Sequence, residues 1–227
     1  MEAKFYKPTE IYFNLFGRLR GYDLIIKKAL DIGCNEGAWA KRLKTVYPEA
    51  EITMIDTIDS FKKECEQYGK FIQACVGEKE DEKIFYFSTD PMDSRGGSLY
   101  IENSNVPWNT KKVQTKALKD IVPNEKFDYI KIDVQGAELD IIRGSLELFQ
   151  STKWVQLVCP VFENNKGAPK FAQVTSYMIN LGFSIFDIEN VYYNAKLMSV
   201  DFLFCNKNLP KQIPLEREFL QYTHHDK

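Results

Sequence analysis

The sequence predicts an α/β fold in which a mainly parallel sheet is covered by helices. Three observations lead to it. Short apolar runs alternate with helix-periodic segments, the pattern of repeated strand–helix–strand units. Several runs close on a carboxylate or a glycine, at Asp31 and Gly33, at Asp56 and at Asp133, which gathers acidic groups at one edge of a sheet. The last two runs follow each other with no helix between them, so an antiparallel pair should finish the sheet.

Taken in order, an N-terminal helical segment over 8–27, centred on 10–24, leads into a first strand at 25–33. Trp39, Leu43 and Tyr47 recur at helical spacing and Pro48 stops that helix. A second strand, 51–56, ends on Asp56. A helix is expected over 58–68, with Phe61 and Cys65 on one face, and a third strand over 71–76. The stretch 83–88 is β-rich, and the turn-rich residues that follow, through Pro107, Trp108 and Asn109, read as a hairpin plus a long loop of the kind that often binds ligands. Alternation resumes with a fourth strand at 127–133, a helix over 136–149 carrying Leu139, Ile142, Leu146 and Phe149 on one face, and a fifth strand at 154–159. A helix over 171–181 ends at Gly182, and strands at 183–188 and 200–205 complete the pattern.

Nothing repeats and no Pro/Gly/Ser-rich linker divides the chain. One domain over 1–227 is therefore expected, with a core of about 28–206 and a tail at 207–227. The 227 residues carry 30 Lys and Arg against 32 Asp and Glu, a formal net charge of −2, which supplies no field for capturing a polyanion. No nucleic-acid partner is expected. The N-terminus has no apolar stretch behind it, so no signal peptide is expected, and the longest uncharged run, 171–186, is too polar and short for a membrane span. A cytoplasmic location follows.

Only two histidines occur, His224 and His225, both in the last four residues. Triads with a histidine base and histidine-rich metal centres are thereby disfavoured. The five cysteines (Cys34, Cys65, Cys75, Cys159 and Cys205) are odd in number and never closer than ten residues. Buried reduced thiols fit that spacing better than a zinc pair or a disulfide framework.

The sharpest local signal is Asp31-Ile32-Gly33-Cys34-Asn35-Glu36-Gly37 at the first strand-to-helix turn. Gly33 and Gly37 let the backbone turn tightly beside a ligand. The GxxxG spacing differs from the dinucleotide GxGxxG, which disfavours a dehydrogenase, and no phosphate-binding P-loop is present. Asp31 would suit a cationic amino group and Asp56 the two hydroxyls of a ribose, so together they describe a site for a nucleoside with an amino-acid tail. A plain tight turn with a strand-end cap is the competing interpretation.

Asp-x-Gly-x-x-x-Gly after one strand, then an acidic residue after the next, resembles the class I S-adenosylmethionine (SAM)-dependent methyltransferases. A narrower resemblance lies in Lys131-Ile132-Asp133-Val134-Gln135-Gly136-Ala137-Glu138, followed by Arg143-Gly144. That string is the hallmark of the FkbM family of O-methyltransferases. Gly97-Ser98-Leu99, Thr115 to Asp120, Gly167-Ala168-Pro169, Gly182-Phe183 and Asp201-Phe202-Leu203-Phe204 stand in the family's order, and the likeness spans roughly residues 28–206. Gln135 and Asp56 both stand where the family more often has Glu, and Val158-Cys159 where its fifth strand carries an acid, with Glu163 in the next loop as a substitute.

The resemblance implies a Rossmann-like seven-stranded sheet in the order 3-2-1-4-5-7-6, with helices on both faces and an antiparallel last strand. It implies SAM as cofactor and S-adenosylhomocysteine (SAH) as product, with Asp31, Gly33, Cys34, Asn35, Glu36, Gly37, Asp56, Thr57, Ala74, Cys75 and Asp133 around the cofactor. The acceptor it implies is a sugar or glycan, for example a deoxysugar such as rhamnose or fucose. Family members also occur fused to glycosyltransferases, which leaves open a place in a larger polypeptide.

With no usable histidine the proton acceptor should be a carboxylate, Asp133 first, with Glu138 close enough to share a proton and Lys131 on the same sheet face. No metal ligand set is assigned, although Asp133, Glu138 and Glu163 are oxygen donors that could suit a divalent cation. Tyr100, Trp108, Tyr192 and Tyr193 fall in expected loops, where aromatic faces suit a sugar ring. Two other functions remain in competition: a non-catalytic SAM-binding module, and a methyltransferase acting on nucleic acid.

Overall fold

The computed structural model describes residues 15–21, 24–88, 97–105, 107–194 and 196–209. The remainder of the expected N-terminal helix, the turn-rich residues 89–96 and the tail with both histidines lie outside the described residues.

Among the described residues, ten strands form two sheets. The larger contains β1 (Lys28–Ile32), β2 (Glu51–Asp56), β3 (Lys70–Gln73), β7 (Tyr129–Ile132), β8 (Trp154–Pro160), β9 (Phe183–Asn194) and β10 (Lys196–Asn206). Their spatial order is β3-β2-β1-β7-β8-β10-β9, parallel as far as β8 and antiparallel through β10 and β9. This is the order 3-2-1-4-5-7-6 that the resemblance implies. The smaller sheet, β4 (Cys75–Gly77), β6 (Asn109–Ala117) and β5 (Asp81–Phe87), stands beside it.

Alternation along the central strands sorts the two faces. Leu30, Ile32, Ile130, Ile132, Val155 and Leu157 point to one side, where they meet Leu139, Ile141 and Ile142 of α5 (Glu138–Gly144), Phe149 of α6 (Leu146–Ser151) and Val174 and Met178 of α7 (Phe171–Asn180). Ala29, Tyr129 and Trp154 point to the other. There they meet Leu15, Phe16 and Leu19 of α1 (Leu15–Gly21) and Trp39, Ala40 and Leu43 of α2 (Ala38–Val46). The second face also carries polar groups. Gln156 Oε1 accepts from Trp39 Nε1 (2.9 Å) and from the Tyr129 hydroxyl (2.8 Å), and its amide donates to Glu189.

Three elements are divided or shortened relative to the sequence expectation. The third strand divides: the Ala74 amide makes the last bond to β2, at Asp56 O (2.9 Å), and Cys75–Gly77 then joins β6 instead. The helix expected over 136–149 breaks into α5 and α6. Gly144 lies so close to the chain after β4 that a Cβ there would sit 2.2 Å from Glu78 O, and Ser145 turns its hydroxyl to the Lys119 amide (3.0 Å) at the start of α4 (Leu118–Ile121). The helix expected over 58–68 contracts to a 3-10 turn, Asp59–Phe61, and α3, Lys62–Cys65, with Phe61 and Cys65 both buried as expected. The late hairpin is longer than expected. Among the described residues no helix is long and apolar enough to cross a membrane.

Candidate active site

At the carboxyl ends of β1, β2, β7 and β8 lies a cleft of about 420 Å³, where open α/β sheets receive their ligands. Its floor is the turn after β1. Gly33 and Cys34 donate to Ile55 O (2.9 and 3.3 Å), and Gly33, Asn35 and Gly37 all have positive φ (74°, 48° and 75°). The chain can take this path only because Gly33 lacks a side chain: a Cβ would stand 2.0 Å from Asp133 O.

Asp56, at the end of β2, reaches over this turn. Its Oδ2 accepts from the Asn35 amide (3.0 Å) and its Oδ1 from the Ile58 amide (2.9 Å). Burial pushes its carboxyl up, opposed by these backbone donors. The Thr57 amide is a third backbone donor to this carboxylate, and Asp56 lines the cleft.

Asp133 sits where β7 ends, with Oδ1 accepting from Gln135 Nε2 (2.7 Å) and Oδ2 3.5 Å from Lys131 Nζ. Lys131 also approaches Asp31 Oδ1 (3.3 Å). Asp31 is fully buried, and its Oδ2 has no partner among the described residues. The cation expected beside Asp31 is thus first of all the chain's own Lys131. Burial pushes the Asp31 carboxyl up against the pull of that ammonium, and the two carboxylates hold Lys131 in its charged form despite burial.

The loop between Asp133 and α5 folds around Glu138. Its Oε1 accepts from the amides of Val134 (3.2 Å) and Gly136 (3.1 Å), and Oε2 also from Gly136 (3.0 Å). Burial pushes this carboxyl up to about 7. From above, the Ser98 hydroxyl donates to Gln135 O (2.9 Å), tying the segment after the undescribed residues to the same loop.

Of the residues singled out by sequence, the cleft gathers Gly33, Asn35, Asp56, Thr57, Ala74, Cys75, Asp133 and Glu138. Asp31 and Lys131 form the buried pair beneath it. Cys34 does not line it; its thiol lies 3.7 Å from Cys65 Sγ, which itself donates to Asn35 O (3.1 Å). Glu36 is exposed at the turn and Gly37 caps α2 from behind it.

Glu163 is exposed and accepts from the Gly167 amide (2.6 Å), so Asp133, Glu138 and Glu163 serve separate local structures. No group of three or more potential metal ligands forms among the described residues. Tyr192 lines the cleft, Tyr100 is tied to Asp140 (2.7 Å), Trp108 approaches Ser104 (3.4 Å) and Tyr193 is exposed. Sequence reading missed Phe85, Asn164, Asn165 and Ser199, all of which line the cleft.

The Methyltransferase FkbM domain matches residues 32–185. The chain belongs to the FkbM methyltransferase family. Over 172 residues it is 26% identical to the 2-O-methyltransferase NoeI of Sinorhizobium fredii (strain NBRC 101917 / NGR234), covering 66% of this chain and 70% of that protein. Two solved structures resemble it at lower identity. One is a SAM-dependent methyltransferase from Clostridium acetobutylicum ATCC 824 (12% identity, TM-score 0.49, 86% of this chain and 89% of that one). The other is the magnesium protoporphyrin IX methyltransferase of Synechocystis PCC 6803 with bound SAM (12% identity, TM-score 0.47, 78% and 69%).

Proposed function

We propose that this FkbM-family chain is a SAM-dependent O-methyltransferase that acts on a hydroxyl of a sugar or glycan, a deoxysugar such as rhamnose or fucose being a suitable acceptor. The observation that carries the reading is the division of one cleft into two chemically different ends around Asp133. On one side lie the Gly33–Asn35 turn and Asp56, a strand-end carboxylate lining the cleft that suits a ribose diol. The unpartnered oxygen of buried Asp31 suits a polar donor at the amino-acid end of the cofactor. On the other side lie Asn164, Asn165, Tyr192 and Ser199, neutral hydrogen-bonding groups suited to an uncharged polyhydroxylated molecule.

Bound SAM supplies a sulfonium methyl with a good leaving group. The chain's work is then alignment and proton removal. Asp133 stands between the two ends with a carboxylate already oriented by Gln135, and we assign it to accept the acceptor's hydroxyl proton. The family relative named a 2-O-methyltransferase supports oxygen as the methylated atom.

The test is transfer of label from SAM to a panel of neutral mono- and oligosaccharides. The wild-type chain should methylate at least one of them. Asp133→Asn should lower kcat by about 10²-fold or more, the usual contribution of general base catalysis, while SAH affinity stays within about threefold, since the change is isosteric. Full activity in that variant removes Asp133 from proton transfer; a wild-type chain inert to every sugar overturns the acceptor class.

A further inference from the structure

The acceptor end of the cleft contains a buried carboxylate for which methyl transfer and proton removal have no use. Asp201 lies in β10, 3% exposed, opposite Val158 of β8. Ser199, two residues earlier, projects from the same strand face. Val158 and Ser199 both line the cleft, so Asp201 is set into the wall they form. Its Oδ2 accepts from Asn190 Nδ2 (2.9 Å) and from the Tyr192 hydroxyl (3.2 Å), while its Oδ1 is buried with no partner among the described residues. Leaving one oxygen of a buried carboxylate unpaired costs stability. A purely structural residue here would gain from being neutral.

Geometry gives the carboxylate a use. Tyr192 is half exposed and lines the cleft. With its proton committed to Asp201, the lone pairs of the Tyr192 oxygen are left for a donor in the cleft. The ring beside them offers an aromatic face to the C–H groups of a sugar.

We propose that Asp201 is a positioning residue for the acceptor: with Asn190 it fixes the Tyr192 hydroxyl so that Tyr192 receives a hydrogen bond from a hydroxyl of the bound sugar and holds the ring against Asp133. This inference rests on the O-methyl transfer reading. No bond is made or broken at Asp201; its charge sets the direction of one hydrogen bond.

That charge is conditional. Burial first, then Asp133 and Glu189, push the Asp201 carboxyl up to about 6, opposed by the hydrogen bonds from Asn190 and Tyr192. Lys131 and Tyr129 on β7 share its sheet face, and Cys159 on β8 feels its charge from the opposite face. Above about pH 6 Asp201 is ionised and can only accept, so Tyr192 stays oriented. Below that it gains a proton, and Tyr192 is free to turn.

The experiment measures labelled-SAM kinetics with the methyl glycosides of rhamnose and fucose and a wider panel of neutral sugars. It uses the wild-type chain, Tyr192→Phe and Asp201→Asn, with SAH affinity measured for each. Tyr192→Phe should raise the acceptor KM about 5–10-fold, the worth of one such hydrogen bond, with SAH affinity unchanged within twofold. The wild-type acceptor KM should rise as pH falls from 7 to 5, and Asp201→Asn should be elevated and flat over that range. Tyr192 lies at the surface of the hairpin, so its variant keeps the fold if Asp201→Asn does not. An unchanged KM in Tyr192→Phe, with the wild-type chain active, overturns the positioning role alone. A wild-type chain that methylates no sugar overturns the acceptor class and this role with it.

Discussion

Gly33→Ala is expected to cost about 3–5 kcal/mol of folding stability, a drop in Tm of roughly 6–20 °C for a chain of this size, and to abolish measurable SAH binding. Two separate penalties combine. At φ +74° a side chain is strained, which costs about 1–2 kcal/mol. Collision is the heavier penalty: the new Cβ would lie 2.0 Å from Asp133 O and 2.9 Å from its carbonyl carbon. Backbone cannot swing aside as a flexible side chain can. Relief requires β1 and β7 to separate at the point where the Asp133 amide donates to Ile32 O (2.9 Å), and that separation displaces Asp133 and the cleft floor together. Gly37→Ala is the internal control. It shares the positive φ (75°), but its nearest neighbours lie 3.4 Å away, at Cys65 Sγ and Tyr68, so only the conformational cost of about 1–2 kcal/mol applies. Thermal melts of the two variants isolate the collision; equal stabilities would show that β1 and β7 part freely.

The central strands were legible because burial on both faces writes itself as continuous apolar sequence, as in Tyr129-Ile130 and Trp154-Val155. The antiparallel close of the sheet followed from the missing helix between two strands, and the strand order from resemblance. β6 was illegible for a physical reason. It packs one side of its sheet with Val113, Thr115 and Ala117 while Lys112, Gln114 and Lys116 face solvent. Thr115 contributes through its hydroxyl, donating to Lys79 O (2.7 Å) and Asp81 O (3.2 Å), and hydrophobic periodicity has no way to register that. The split of the third strand at Ala74 is a change of backbone partner from β2 to β6, which no side-chain pattern encodes.

The cleft shows the same division. Residues on the turns that end β1, β2 and β7 were found because glycine and carboxylate types at strand ends carry their own signal. Asn164, Asn165 and Ser199 reach the cleft only through the folding of the loop after β8 and the hairpin register, where Ser199 pairs with Pro160. The position of Asn164 and Asn165 just beyond the carboxyl end of a parallel strand was the one available clue. Residues 33–37 curl so tightly that Cys34 is drawn under α3 and Glu36 is turned outward, although they alternate with residues that line the cleft.

Replacing Glu138 by Ala is expected to be strongly destabilising in a way that depends on pH. The loop it holds contains two residues with positive φ, Gln135 (57°) and Gly136 (120°), and its amides at Val134 and Gly136 have the Glu138 carboxylate as acceptor. Removing that acceptor leaves buried donors unpaired at about 1–3 kcal/mol each and releases the segment carrying Gln135, which orients Asp133. SAH affinity should fall at least about tenfold, and transfer further. The pH dependence has a definite sign. Folding raises this carboxyl from 4.5 to about 7, so the folded chain keeps a proton that the unfolded chain gives up. The stability Glu138 contributes is therefore fully present below about pH 4.5 and is lost as pH rises through about 7, a change of about 3 kcal/mol. The stability gap between wild type and Glu138→Ala should accordingly be widest near pH 5 and narrow by that amount at pH 8. Denaturant unfolding at the two pH values measures it. A gap that does not change with pH would mean that Glu138 titrates as a solvent-exposed acid and that burial does not govern its proton.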